Sequence, residues 1–122
     1  MKKIIPGDAF NDSALKTFYG RPDEWNLETD EIDAELDVVI KYASPINQLS
    51  ADDPPVCLIH YERNNKPGNI HHPNFGKHLK EAMDKLGIEC IRRMDTDYPS
   101  MNEAYEDMAV FVIRQLESEE QY

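Results

Sequence analysis

The stretch ASPINQLSADDPPVCLIHYERNNKPGNIHHPNFGKHLKEAMDKLGIECIRR, Ala43 to Arg93, decides how this chain folds. Ala43-Ser44-Pro45 ends the helix before it, because a residue that precedes proline avoids the α region. Asp52-Asp53-Pro54-Pro55 is a stiff lead-in to Val56-Cys57-Leu58-Ile59-His60, an apolar run without alternation, which marks a strand covered on both faces as in a parallel sheet. Tyr61 to Asn69 is a loop rich in Asn, Lys, Pro and Gly. Pro73 suits a first helical turn with His72 or its neighbour as the cap. Phe75, Leu79, Ala82, Met83 and Leu86 then recur at helical spacing until Gly87 closes the helix. Ile88 to Met94 is the return strand, so the stretch is a βαβ unit, the building block of parallel sheets.

Outward from that unit the pattern is helical. Downstream, Ser100-Met101-Asn102-Glu103 is a capping box opening a last helix with Met101, Tyr105, Met108, Phe111, Val112 and Leu116 turned inward; the tail from Glu117 frays. Upstream, Thr29-Asp30-Glu31 places a cap and two carboxylates at the positive end of a helix whose inward positions are Ile32, Leu36, Val39 and Ile40. The acids from Glu28 to Asp37 form a solvated face. Trp25 anchors the loop before it. Asn11-Asp12-Ser13 caps a short helix carrying Ala14, Leu15, Phe18 and Tyr19, which Gly20 and Pro22 end.

The fold class expected is therefore α/β, with two or three mostly parallel strands, at 56–60, at 88–94 and at Lys3 to Ile5, flanked by about four helices. At 122 residues the chain is one domain with one core. A strand as apolar as 56–60 needs neighbours on both sides, and the return strand supplies one. The other neighbour is expected from a second copy, a missing upstream half, or residues near Met1 to Pro6, which makes a homo-oligomer through an exposed sheet edge the expected assembly.

Composition narrows the partners. Asp and Glu outnumber Lys and Arg 24 to 13, a formal charge of −11, and such a surface repels phosphate backbones and anionic lipid. No nucleic-acid and no membrane partner is expected. No run reaches the roughly 18 apolar residues of a bilayer span, and Met1 to Pro6 stops too soon for a signal peptide, so the default compartment is the cytoplasm unless an upstream segment carried an export signal. Cys57 and Cys90 sit inside strand patterns and are expected as reduced, buried thiols, a bridge between neighbouring strands being the alternative.

The wording of the same stretch resembles the C-terminal part of α/β-hydrolase esterases and lipases. The resemblance rests on Ala43-Ser44-Pro45-Ile46 followed by Asp52-Asp53-Pro54-Pro55 and the strand Val56 to His60, and it extends from Phe18 to Leu116. His71-His72-Pro73-Asn74-Phe75-Gly76 is similar to a marker of bacterial hydrolase-like proteins. The resemblance implies a partial α/β-hydrolase fold, in which the strand 56–60 leads to a Gly and, three residues on, the catalytic Asp. Here position 61 is Tyr and the acid position falls on Asn64, which cannot supply the negative charge that stabilises an imidazolium. Glu62 is the nearby substitute. The loop in which the family carries its histidine is Asp95-Thr96-Asp97-Tyr98-Pro99, without one. No Ser or Cys has Gly two residues before and after it, so the nucleophile elbow is absent. What the resemblance implies is a hydrolase C-terminal segment, inactive alone, from truncation, proteolysis, a domain boundary or gene decay.

Candidate site residues follow from position. Glu62, Arg63 and Asn64 lie at the C-terminal end of one parallel strand, where ligands bind in open α/β sheets. Asp95 and Asp97 lie at the end of the other, so both carboxylates are expected to border the same crevice unless they are plain turn formers. The histidines 60, 71, 72 and 78 gather around a strand end and a helix start. His71 and His72 with Glu62 or Glu81 have the donor types of a zinc site; the plainer reading makes His60 a strand end, His72 a cap and His78 a helix flank. Gly68 and Gly76 form no phosphate-binding pattern, and no cofactor is expected.

Overall fold

A computed structural model describes residues 12–27 and 30–120. The strands are β1 (Val56–His60) and β2 (Cys90–Met94), and the helices are α1 (Ser13–Phe18), α2 (Ala34–Ala43), α3 (Asn74–Lys85) and α4 (Met101–Glu120), with short 3-10 turns at 45–48, 62–64 and 95–97. β1 and β2 pair in parallel, Val56 opposite Cys90 through His60 opposite Met94. The fold is thus mixed α/β, with four helices and a two-stranded parallel sheet among the described residues. The strand expected at Lys3 to Ile5 lies outside the described residues.

β1 begins where its sequence places it. Asp53 and Ser50 close a turn ahead of it: the Ser50 N–H donates to Asp53 Oδ2 at 2.9 Å and the Asp53 N–H to the Ser50 carbonyl at 3.0 Å. Its five residues are half-buried rather than enclosed. The reason is width: with β2 as its one paired neighbour among the described residues, β1 keeps an open edge. β2 starts two residues later than expected, after Ile88 and Glu89, although the Glu89 carbonyl already accepts from the Val56 N–H at 3.0 Å.

The two faces of the sheet follow from the period of two along each strand. Val56, Leu58 and Cys90 face α3, where Met83, Ile88 and Cys90 form the buried core with Leu49, Val56, Leu58 and Leu79 around them. Helix α3 ends in a Schellman motif: the Ile88 N–H donates to the Met83 carbonyl at 3.0 Å and the Gly87 N–H to Asp84 at 3.1 Å, with Gly87 at φ 74. That arrangement needs a left-handed residue after the helix and brings Ile88 back over Met83. Cys57 lies one residue out of phase with Val56 and so faces the other side of the sheet from Cys90. Both thiols are free, and a bridge between them would have to pass through the sheet. Burial pushes both thiols up from their ordinary range, which keeps them protonated.

The opposite face carries α4. Its inward residues match the predicted spacing in part: Met101 and Phe111 are half-buried as expected, Ala104 is buried and Gln115 half-buried without having been expected, and Tyr105, Met108, Val112 and Leu116, expected inward, are exposed. The face of α4 turned inward is therefore the one that carries the small Ala104, not the bulkier apolar stripe. Two polar ties hold it, the Tyr98 hydroxyl donating to Asp107 and Arg114 paired with Glu89, each at 2.5 Å. At its start the Ser100 hydroxyl donates to the Glu103 carboxylate, which holds that carboxyl below its usual range.

The upstream helices are shallower. Asp12 caps α1, accepting from the Ala14 N–H at 2.9 Å, and no residue of α1 is buried; Phe18, expected inward, is exposed. The cap of α2 is Asp33, accepting from the Leu36 N–H at 2.8 Å, rather than the 29–31 group. Leu36 is buried, but Val39 is exposed. In the connecting loop Leu27 is the buried residue, and Trp25 stays half-buried beneath the Arg21 guanidinium, 5.9 Å from its ring centroid.

Candidate functional site

The C-terminal ends of β1 and β2 lie side by side, and the loops that leave them meet. The Glu62 N–H donates to Asp95 Oδ1 at 2.9 Å, a link across 33 residues of sequence. Asp95 is therefore brought to the 62–64 turn, as expected, but as an acceptor that ties two loops together. Asp97 turns the other way: its carboxylate accepts from the Met94 N–H at 2.8 Å and stays within its own turn. Glu62 is exposed, with Asn65 donating to its carboxylate at 3.2 Å. Asn64 is half-buried, its N–H donating to the Tyr61 carbonyl at 3.0 Å.

Beside this junction, between the end of β1 and the start of α3, is an open cleft of about 590 Å³. Tyr61, Arg63, Asn64, Ile70, His71 and Phe75 form much of its lining; Glu62, Asp95 and Asp97 do not. Arg63 lies over the Tyr61 ring, 4.5 Å from its centroid, a cation–π contact that fixes the guanidinium at the rim. The sequence singled out this strand end, but not the part that Ile70 and Phe75 play there.

The histidines separate into different roles. His72 is buried just ahead of α3, whose N-cap is Pro73 rather than the expected His72; its Nδ1 accepts from the Asn74 N–H at 3.0 Å and its carbonyl from the Phe75 N–H at 3.1 Å. His60, at the end of β1, lies against Gly76 in the first turn of α3, so close that a Cβ at position 76 would come within 1.8 Å of His60 Nε2. Gly76 is thus a packing residue, and the signal for it was its place one heptad before Met83 on the same helix face. Burial holds the His60 imidazole below its ordinary range, and the positive Arg92 and neighbouring His72 act in the same direction. Its Nε2 has no hydrogen-bond partner among the described residues. Arg92, reaching under the helix from β2, donates from Nη2 to the Pro73 carbonyl at 3.1 Å. His71 is exposed at the cleft, and His78 is exposed on the helix flank.

Among the described residues no three His, Cys, Asp or Glu side chains converge as metal ligands. The Nδ1 of His72, in particular, is taken by the Asn74 N–H. No described helix is long and apolar enough to cross a membrane. No family model, no curated protein and no solved structure matches this chain.

Proposed function

We propose that the chain is the C-terminal limb of an α/β-hydrolase-like protein of the esterase or lipase type, without ester-hydrolysing activity of its own. The observation that carries this reading is Asn64. It stands in the turn directly beyond β1, where the resembling family places its acid, and it offers an amide instead of a carboxylate. Support comes also from the order strand, helix, parallel strand, helix over 56–120, and from a sequence with no Gly-x-Ser-x-Gly and no histidine after Met94. Neither cysteine stands in a Gly-x-Cys-x-Gly turn either.

The test is an assay of the purified chain against p-nitrophenyl acetate and its longer acyl homologues. The expected rate is that of buffer. Saturable turnover that a phosphonate blocks would overturn the claim of inactivity.

A second reading is favoured by the sheet edges that no described residue pairs, together with the exposed apolar residues of α4. On this reading the chain is a non-catalytic module that associates with a second copy of itself. Light scattering at micromolar concentration then gives twice the 14.1 kDa chain mass; a monomer removes this reading and leaves the first intact.

A further inference from the structure

The cleft at the end of β1 differs in charge from the molecule around it. The chain carries 24 acidic residues against 13 basic ones, yet no carboxylate lines this cleft, while Arg63, His71 and His72 do. Arg63 pairs with no carboxylate among the described residues; its partner is the face of Tyr61. A guanidinium with no carboxylate partner has N–H groups to offer, and their planar fork matches the two oxygens of a planar carboxylate.

The rest of the lining is apolar. Ile70 and Phe75 stand exposed at the cleft, an unfavourable place for large apolar side chains unless something covers them. The volume, about 590 Å³, falls in the range of small-molecule sites. The start of α3 is not what would attract an anion, because the Asn74 and Phe75 N–H groups are already taken by His72.

We infer that this cleft binds a small amphiphilic carboxylate, its head group on Arg63 and His71 and its apolar body over Ile70 and Phe75. A single guanidinium in a chain of formal charge −11 favours a monoanion over a phosphate dianion, whose second charge would meet the field of the whole molecule without a partner. The inference does not depend on the hydrolase reading, since it uses only the lining of the cleft.

The test is a titration of the full, ¹⁵N-labelled chain with sodium hexanoate, followed by amide shifts, to roughly 20 mM, enough to populate a site of millimolar Kd. Hexan-1-ol carries the apolar body alone and acetate the head alone. Saturable hexanoate shifts confined to residues 59–64 and 70–75, with much weaker shifts from both controls, support the site. Arg63→Gln is expected to weaken hexanoate roughly fivefold or more, the scale of one charge-assisted hydrogen bond, with Arg63→Lys recovering part of the loss. Phe75→Ala weakens it independently of the charge. The inference is overturned if no saturable shifts appear in these segments, if hexan-1-ol moves the same amides as strongly as hexanoate, or if Arg63→Gln leaves the affinity unchanged while the rest of its spectrum shows the native fold.

Discussion

Helices α3 and α4 cover opposite faces of the same two strands, and they are held in different ways. Under α3, Met83 is 0% exposed and packs with Ile88 and Cys90. Under α4, the one fully buried residue is Ala104, while Val112 and Leu116 are 53% and 55% exposed. Length explains the difference. α3 has 12 residues and sits between the two strands it connects. α4 has 20, about 30 Å at roughly 1.5 Å per residue, over strands of five residues that reach about 17 Å at roughly 3.3 Å each. The two described strands are shorter than such a helix, so past Ala104 its burial is partial: Phe111 and Gln115 are half-buried and Arg114 reaches Glu89, while its outer apolar residues stay exposed. An apolar stripe in a sequence buries itself only as far as the partner surface extends.

The largest effect that can break this comparison is at Met83. Met83→Ala should cost about 2–5 kcal/mol, since it empties a closed site, whereas Val112→Ala on the outer side of α4 should stay within about 0.5 kcal/mol. Urea unfolding of both variants reads the contrast. Equal losses would mean that the outer face of α4 is covered in solution.

The next effect is at Gly76. Alanine normally favours a helix by about 1 kcal/mol over glycine, but here its Cβ meets the His60 ring. Gly76→Ala should therefore destabilise by about 1–3 kcal/mol. In a His60→Ala background the same substitution should turn neutral or stabilising, and a double-mutant cycle without coupling would remove His60 from under α3.

The smallest effect sharpens the same contact through pH. The His60 imidazole in the folded chain lies below its ordinary value of 6.5. Between those two values the unfolded chain binds more protons than the folded one, so stability falls as pH falls from about 6.5 towards the folded value. Above about pH 6.5 the contribution is fully present. Thermal unfolding between pH 7.5 and pH 5, a window on either side of the free imidazole value, should show this loss. A His60→Gln variant should show a shallower slope, and an unchanged slope would assign the loss to other groups.

Much of the fold was legible because local chemistry carried it. The apolar run 56–60, the glycine at 87 and the spacing of Leu79, Ala82 and Met83 each name an element and its end. The cap of α2 was misplaced because Thr29, read as the cap, and Asp33 both carry a side-chain oxygen suited to an N-cap, and the start at Asp33 goes with the loop that Arg21 fastens to Asp33 at 3.3 Å. The site was legible in part. Glu62, Asn64, Asp95 and Asp97 all lie at the strand ends, as their positions imply, but Asp95 ties the loops and Asp97 folds back on its own turn. Ile70 carries no pattern in sequence that marks a cleft wall.

By itself the sequence determined a βαβ unit with parallel strands, an acidic surface, and a chain without a serine nucleophile elbow. These are properties of residue type and near-neighbour spacing, which act before any long-range contact forms. Only the tertiary structure decided which face of α4 is inward, that Cys57 and Cys90 lie on opposite sides of the sheet, that Gly76 is held against His60, and that the cleft beside Asn64 gathers Arg63, His71 and Phe75 with no carboxylate among them. Each of these depends on the strand register and on how far the sheet extends, quantities that residues distant in sequence set together.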